Sequence, residues 1–438
     1  MKKLVLVGIG LGLAVSVLAD SSAPKLPTFT KAVTLKFWDW GASDKAMIAA
    51  FNKDYPSIKV EWANVGAGPD EYNKLLTALK AGTGAPDIAA IEYGFLPSFI
   101  AFGGLVDLAK YGANDYKNLY PEWAWRQVSP EGSAVYGVPG DQGPLALVYR
   151  EDQYKRYGLT VPKTWAQFEA NAIKLSNATK GKVKIANFFS TYAPWYMGLV
   201  WAAGGKFWTK NGDAWTQSFG NPQSKTVLNY WGKLIEKGYV STLQNFTQDF
   251  YKALDSDNII SSVEAAWGPG TFAGSLTKKT AGKWRVAPLP QWSSGTPFKT
   301  GNWGGTSYAV TTQSKEPQAA LIFSLWMMAH PTAIKINWVT QGVFPAAKAG
   351  LSLPELQDPK LDPNRFFGTN VAAAYLEASK HVDSNFIWSP WFLYANDNFN
   401  KHLADAIAKK ITWNKALENW QSEVLTYAQS QSFSVTGK

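Results

Sequence analysis

Residues 33–62 read VTLKFWDWGASDKAMIAAFNKDYPSIKVEW, and their pattern indicates a strand, a helix and a second strand. Apolar side chains occupy every second position, at Val33, Leu35 and Phe37, which is the two-residue period of a β-strand. Ser43 stands where a helix N-cap is expected, and apolar side chains then share one helical face until the Tyr55-Pro56 pair ends the helix. Alternation returns over residues 58–62. The segment therefore predicts a βαβ unit.

Trp40 occupies the loop that leaves the first predicted strand. Ligands of open α/β sheets bind at the edge where such loops lie, so Trp40 is a candidate ligand residue. Further along the chain, a helical pattern ends at Gly82, and residues 85–91 and 145–149 have the pattern of buried strands. Strands that alternate with helices predict a largely parallel sheet with helices on both faces.

Short motifs follow in a fixed order along the rest of the chain. They are GAPD (84–87), YGVP (136–139), LVYR (147–150), PKTW (162–165), WGGTSYAV (303–310), EPQAA (316–320), GVFP (342–345) and TWNKAL (412–417). Together with residues 33–62, this series resembles the family 1 extracellular solute-binding proteins, which serve carbohydrate ABC importers and are similar to maltose-binding protein. Arg150 departs from the Asn that is usual in the family after this strand.

The resemblance implies an α/β protein with the two-lobed periplasmic-binding-protein fold. Each lobe would be a largely parallel sheet flanked by helices, and hinge strands would join the two lobes. We expect the first lobe to comprise residues 23–140 plus 303–345, and the second lobe residues 141–302 plus 346–438. The ligand would then lie in the cleft between the lobes, which would close around it.

The beginning of the chain has the features of a secretory signal peptide over residues 1–19. A basic pair, Lys2-Lys3, precedes a short apolar run, and small residues end it at Ala19. The 438 residues include no cysteine, which excludes disulfides, a thiol nucleophile and a lipidated cysteine. We therefore expect a diffusible periplasmic protein that is cleaved after residue 19 and is not lipidated.

Charge and histidine spacing argue against several classes of function. The formal net charge is +10, but the basic residues are scattered among acidic ones rather than clustered as nucleic-acid binding requires. His330, His381 and His402 are too far apart in sequence for a zinc motif, and no phosphate-binding loop follows a strand. The sequence thus predicts no metal, no cofactor and no nucleic-acid partner.

Aromatic residues are abundant, with 21 Trp, 19 Tyr and 23 Phe. A flat indole can stack on the C–H face of a sugar ring, although most of these residues must pack in cores. Trp195 shares a helical face with Tyr192, Leu199 and Ala202, which favours core packing. The family resemblance instead favours an aromatic ligand platform near this helix start, so both interpretations stay open for Trp195 and Tyr196. The candidate ligand-binding residues on loops at the predicted cleft are Trp40, Ser43, Glu92, Tyr93, Asp141, Gln142, Trp195, Tyr196, Trp267, Gly268, Trp303, Gly304 and Trp391.

The resemblance implies a non-catalytic, monomeric binding protein. It would capture a mono- or oligosaccharide by aromatic stacking and hydrogen bonding, and deliver it to a membrane permease. The alternative is an exported carbohydrate-active enzyme, such as a glycoside hydrolase, or a wall-polysaccharide-binding protein. Asp39, Glu92 and Asp141 follow predicted strands and could supply the two carboxylates that glycoside hydrolysis needs.

Overall fold

The computed structural model describes residues 23–295 and 297–438, so the predicted signal peptide lies outside the described residues. The strands in these ranges are β1 Val33–Trp38, β2 Ile58–Ala63, β3 Ile88–Glu92, β4 Val138–Pro139, β5 Leu145–Arg150, β6 Ala186–Asn187, β7 Trp208–Asn211, β8 Ala214–Gln217, β9 Val240–Ser241, β10 Ser261–Ala265, β11 Trp284–Pro288, β12 Thr306–Val310 and β13 Val435–Gly437.

Helices account for most of the remaining chain. The α-helices are α1 Asp44–Asp54, α2 Pro69–Ala81, α3 Leu96–Ala101, α4 Glu122–Val128, α5 Glu151–Arg156, α6 Trp165–Thr179, α7 Ala193–Ala202, α8 Pro222–Glu236, α9 Gln248–Asp255, α10 Gly268–Ser275, α11 Pro317–Ala329, α12 Pro331–Gln341, α13 Lys348–Leu351, α14 Asn364–Phe367, α15 Val371–Ser379, α16 Phe392–Ile407 and α17 Trp413–Ser430. Short 3-10 helices cover Leu108–Tyr111, Ala113–Leu119, Lys278–Thr280 and Pro354–Leu356.

The first sheet confirms the βαβ unit predicted for residues 33–62. Its strand order is β2-β1-β3-β12-β4, and β1 pairs in parallel with both β2 and β3. Only β12 runs against its neighbours among the strands of this sheet, because it is the strand that brings the chain back from the other lobe. Helix α2 begins with Pro69 and ends at Gly82, whose left-handed backbone (φ +72°) closes the helix as the sequence predicts.

The second sheet has three strands, and its middle strand runs against the two outer ones. Its order is β10-β5-β11, and β5 pairs antiparallel with both neighbours, so β10 and β11 run in the same direction. The short strands β6 and β9 pair in parallel, and a parallel bridge between Lys184 and Ile259 joins their edge to that of β10. A third sheet, of order β13-β8-β7, also belongs to this lobe, and in it β8 pairs antiparallel with β7 and in parallel with β13. The predicted α/β fold, with sheets flanked by helices, is confirmed. The first sheet is largely parallel, and the second lobe combines parallel with antiparallel pairs.

Three chain segments connect the lobes and lie side by side: residues 140–145, 301–306 and 344–346, which we call the crossing segments. Trp303 N donates to Gly143 O (2.8 Å), and Leu145 N donates to Gly301 O (3.0 Å). Gln142 N donates to Phe344 O (3.1 Å). The crossing segments thus form a small hydrogen-bonded ribbon. The residue boundaries expected for the two lobes stay a prediction.

Two of the helices are buried almost completely. Every residue of α7 from Ala193 to Trp201 is buried, and so is every residue of α11 from Ala319 to Ala329.

No single helix in the described ranges is long and apolar enough to cross a membrane. The consecutive helices α11 and α12 reach that length and composition together, but they bend by 58° at the break between them.

Candidate functional site

Glu92 joins the two lobes at the carboxyl end of β3. Its Oε2 accepts hydrogen bonds from the hydroxyl of Tyr72 on α2 (3.1 Å) and from the hydroxyl of Tyr192 (2.8 Å). Tyr192 precedes α7 in the second lobe, so the second bond crosses from one lobe to the other. Burial raises the pKa of the Glu92 carboxyl, while the bonds from Tyr192 and Tyr72 oppose that rise. This carboxyl is therefore a buried polar contact between the two lobes.

Aromatic rings surround Trp303 next to this junction. The indole of Trp303 lies 4.5 Å from the ring of Trp267 at an interplanar angle of 66°, and 6.1 Å from the ring of Phe246 at 24°. The ring of Tyr192 is also 6.1 Å away. We call Tyr192, Phe246, Trp267 and Trp303 the aromatic cluster. Trp303 is only 1% exposed, whereas Trp267 is partly buried and Phe246 is 49% exposed.

Gly304 brings Glu92 and the aromatic cluster together. Its backbone is left-handed (φ +74°), and a Cβ at this position would lie 3.1 Å from Trp267 Nε1 and 3.4 Å from Glu92 Oε1. A side chain would therefore crowd both groups, and only glycine fits without strain. The indole of Trp267 donates to the carbonyl of Trp303 (3.2 Å). The structure thus gathers Glu92, Trp267, Trp303 and Gly304, four of the residues expected from sequence.

Trp40 belongs to the same region through Tyr72. The two rings lie 6.3 Å apart at an interplanar angle of 70°, and Trp40 is partly buried. Ser43 lies elsewhere and is fully buried: its Oγ donates to Asn337 Oδ1 (3.0 Å) and accepts from Gln341 Nε2 (3.1 Å). Ser43 occupies the N-cap position of α1, but its side chain holds α12 instead of capping the helix.

Three of the expected residues brace the crossing segments. The hydroxyl of Tyr93 donates to the carbonyl of Asp141 (2.8 Å), and Asp141 Oδ1 accepts from Thr306 N (2.6 Å). Gln142 Nε2 donates to Pro345 O (2.9 Å). All three are buried, and burial raises the pKa of Asp141 to about 7. Their polar atoms hold backbone segments together at the junction of the lobes.

The remaining expected residues lie in the interior of the second lobe. Trp195 is fully buried and its Nε1 donates to Val263 O (3.0 Å), while the hydroxyl of Tyr196 donates to Ser224 O (3.0 Å). Trp391 Nε1 donates to Gln217 Oε1 (2.8 Å), and Gly268 is buried at the start of α10. Of the two interpretations of Trp195 and Tyr196, the structure places both residues in the core, because α7 is covered on every side.

A buried acidic group lies beside Trp40. Asp39 follows β1, and its Oδ1 accepts from Trp40 N (2.6 Å) while its Oδ2 accepts from the hydroxyl of Tyr308. Burial raises the pKa of Asp39, and burial together with the charge of Asp39 raises the pKa of Asp44 and of Glu71. Glu71 is fully buried, and neither of its carboxylate oxygens has a hydrogen-bond partner in the described residues.

The three carboxylates that were considered for glycoside hydrolysis all have hydrogen-bond partners within the protein. Asp39, Glu92 and Asp141 each accept a hydrogen bond from a neighbouring protein group, and in Glu92 the bond from Tyr192 joins the two lobes. In residues 23–295 and 297–438, no group of three or more His, Asp or Glu side chains is placed to hold a metal ion.

The family of the chain follows from comparison with known proteins. The model of the bacterial extracellular solute-binding protein family matches residues 38–332. The chain belongs to this family. Its members are binding proteins rather than enzymes. The match runs from the last residue of β1 to the start of α12 and so includes the aromatic cluster and Glu92 of this solute-binding protein.

Relatives and solved structures agree with that assignment. The arabinooligosaccharide-binding protein of Halalkalibacterium halodurans is 25% identical over 368 residues, which cover 81% of this chain and 80% of the relative. The ABC-transporter-associated binding protein of B. animalis subsp. lactis Bl-04, solved with β-1,6-galactobiose, matches with a TM-score of 0.82 and 28% identity over 93% of this chain and 100% of that one. The galacto-N-biose/lacto-N-biose I-binding protein of Bifidobacterium longum, solved with lacto-N-biose, matches with a TM-score of 0.82 and 25% identity over 94% and 100%.

Sequence patterns alone did not identify three aromatic members of the site in this solute-binding protein. Tyr72 and Tyr192 belong to helical apolar patterns, which predict core packing. Such patterns do not predict which group a tyrosine hydroxyl contacts. Phe246 stands between Asn245 and Thr247 in a polar stretch ahead of α9. Single exposed aromatic residues are common on protein surfaces, so no local pattern marks Phe246 as part of a site.

Proposed function

We propose that this protein captures a sugar, mono- or oligosaccharide, in the cleft between its lobes and delivers it to the membrane permease of an ABC importer. The observation that carries the proposal is the position of the aromatic cluster beside Glu92, where residues of both lobes meet. The sugar-bound relatives support the same ligand class. Partly buried indoles and a buried carboxylate at a lobe junction are the contacts that a polyhydroxylated ring requires.

Each group has a distinct part in the proposed capture. Trp40 and Trp267 offer partly buried indole faces for the C–H faces of the sugar. Glu92 accepts hydrogen bonds from sugar hydroxyls after the lobes separate and Tyr192 withdraws. Closure then surrounds the ligand with residues of both lobes, which the permease recognises as the loaded form.

The proposal also covers export and catalysis. The mature protein begins near Asp20, acts in the periplasm as an unlipidated monomer, and leaves its sugar chemically unchanged. Intact-mass spectrometry of the periplasmic protein tests the first part. A mass that retains residues 1–19, or one that includes acyl chains, would contradict it.

The deciding experiment is a ligand screen by thermal unfolding with arabinooligosaccharides, β-1,6-galactobiose and lacto-N-biose. A sugar at 100 times its dissociation constant should raise the free energy of unfolding by about 2.7 kcal/mol. Chromatography of the same sample after prolonged incubation should recover the sugar intact. Release of shorter sugars would favour the glycoside-hydrolase alternative, and the lack of a shift with a wide saccharide panel would overturn the proposal.

A further inference from the structure

Phe246 has an unusual backbone and an unusual exposure. Its φ is +61°, in the left-handed region, and its ring is 49% exposed. The left-handed conformation costs about 1–2 kcal/mol for a residue with a Cβ, and an exposed phenyl ring forgoes the gain from burial. Strained residues of this kind concentrate at functional sites, where the surrounding structure holds them in place.

Both flanking residues hold Phe246 in position. Asn245 is buried, and its Oδ1 accepts from the hydroxyl of Thr191, close to the start of α7. Thr247 caps α9, with its Oγ1 accepting from Phe250 N (3.4 Å). The ring is therefore presented by a fixed backbone rather than by a loose loop.

The same ring borders two regions. Towards the lobe junction, it stacks on Trp303 and lies 5.8 Å from Trp267. It also lines a groove of about 690 Å³ between α9 and the end of α10, which lies within the usual range for ligand sites. Phe246 thus makes the groove continuous with the aromatic cluster.

The groove carries the groups that bind sugar rings. Tyr251 supplies a second aromatic ring, and Gln248 and Ser256 supply amide and hydroxyl groups. Lys252 and Lys279 supply ammonium donors, and within the described residues neither forms an ion pair shorter than 4.0 Å. These hydrogen-bonding groups therefore face a groove with aromatic residues in its wall.

We infer that an oligosaccharide bound in the cleft continues over Phe246 into this groove, so that the protein holds chains longer than a disaccharide. This inference rests on the proposed function and adds the ligand's length to it. In the extended complex, the ring of Phe246 stacks on the sugar unit that leaves the cleft. Gln248 and Lys279 bind hydroxyls of the units beyond it.

The test compares affinities across two length series, arabinooligosaccharides and β-1,6-galactooligosaccharides of two to five units, by calorimetry on the full mature chain. The wild-type protein should bind the longest member of one series at least about tenfold more tightly than its disaccharide. The double variant Gln248→Ala/Lys279→Ala should lose that ratio while its disaccharide affinity stays unchanged. Both side chains are exposed, so the fold should persist.

Lys278→Ala is the matched control, because this neighbouring lysine is exposed and does not line the groove. It should keep the length dependence. The inference is overturned if longer sugars bind no more tightly than the disaccharide, or if the double variant keeps the higher affinity for longer sugars. Either result leaves the proposed function standing. Failure of both series to bind at any length would overturn the inference, and the proposed function falls with it only if the wide saccharide panel also produces no thermal shift.

Discussion

Glu71 shows at the scale of one residue how burial makes stability depend on pH. Burial, followed by the charge of Asp39, raises its pKa from 4.5 to about 9. Between pH 4.5 and about 9, Glu71 carries a proton in the folded state and has lost it in the unfolded state. The stabilising contribution of the protonated form is complete below pH 4.5 and disappears as the pH rises towards 9. The free energy of unfolding should therefore fall by about 1.4 kcal/mol per pH unit from this group.

Glu71→Gln should remove that contribution, because the amide has nearly the same shape and no charge to lose. We expect the variant to match the wild type near pH 5 and to exceed its free energy of unfolding increasingly up to pH 8. Urea titrations at four pH values measure this. Glu61→Gln, at an exposed position on β2, is the control and should leave the pH dependence unchanged. Equal differences between Glu71→Gln and wild type at pH 5 and pH 8 would contradict the prediction.

Trp303→Ala should reduce both stability and sugar affinity. The indole is buried among the aromatic cluster, so its removal should cost about 3–5 kcal/mol of unfolding free energy. Its place beside Trp267 and Phe246 should also weaken sugar binding by about 1–4 kcal/mol. Melting and calorimetry on one sample separate the two effects.

Trp420→Ala provides the comparison, since this indole is equally buried and donates to Ala395 O (2.9 Å) in the packing of α17 against α16. It should lower the melting temperature to a similar degree and leave the affinity unchanged. If both variants keep the wild-type affinity, Trp303 serves packing alone.

At the scale of elements, the crossing segments depend on a glycine. A Cβ on Gly143 would lie 1.9 Å from Trp303 O and 3.2 Å from the Cβ of Ala265. Gly143→Ala must therefore displace a neighbouring crossing segment, and we expect it to lower the free energy of unfolding by about 3 kcal/mol. Thermal and urea unfolding of the purified variant measure the change.

Gly274→Ala is the matched control within α10. A Cβ there would have no atom within 4 Å apart from its own stretch of helix, and alanine is the better helix former by about 1 kcal/mol. This variant should keep or increase stability. If Gly143→Ala is as stable as Gly274→Ala, the close contact between crossing segments does not constrain the chain.

At the scale of the whole molecule, contacts between the lobes indicate a closed arrangement. Tyr192 bonds to Glu92 across the junction, and the ring of Phe95 ahead of α3 lies 5.0 Å from that of Phe392 on α16. A ligand can enter the cleft only after these contacts separate. We therefore predict that the ligand-free protein populates a more open form and closes on binding.

Small-angle scattering should show a smaller radius of gyration with a saturating sugar than without it. The control is a sugar that produces no thermal shift, which should leave the curve unchanged. If calorimetry shows that a sugar binds and the scattering curves with and without that sugar are identical, the prediction of closure is contradicted.

The sequence by itself determined the class of fold and the family. The alternation in β1 and β2, the helical stripe of α1 and the stop of α2 at Gly82 depend on neighbouring residues, so local patterns identify them. The ordered motifs in turn pointed to a two-lobed binding protein, and the family match agrees.

Only the tertiary structure decided which aromatic residues meet at the junction of the lobes. Trp195 and Trp303 are both candidate ligand residues by sequence, yet Trp195 lies inside the second lobe and Trp303 lies beside Phe246 and next to Gly304, which borders Glu92. The physical reason is that a side chain's surroundings arise from segments far apart in the chain. Tyr192 and Glu92 are 100 residues apart and meet only because the crossing segments place the two lobes together.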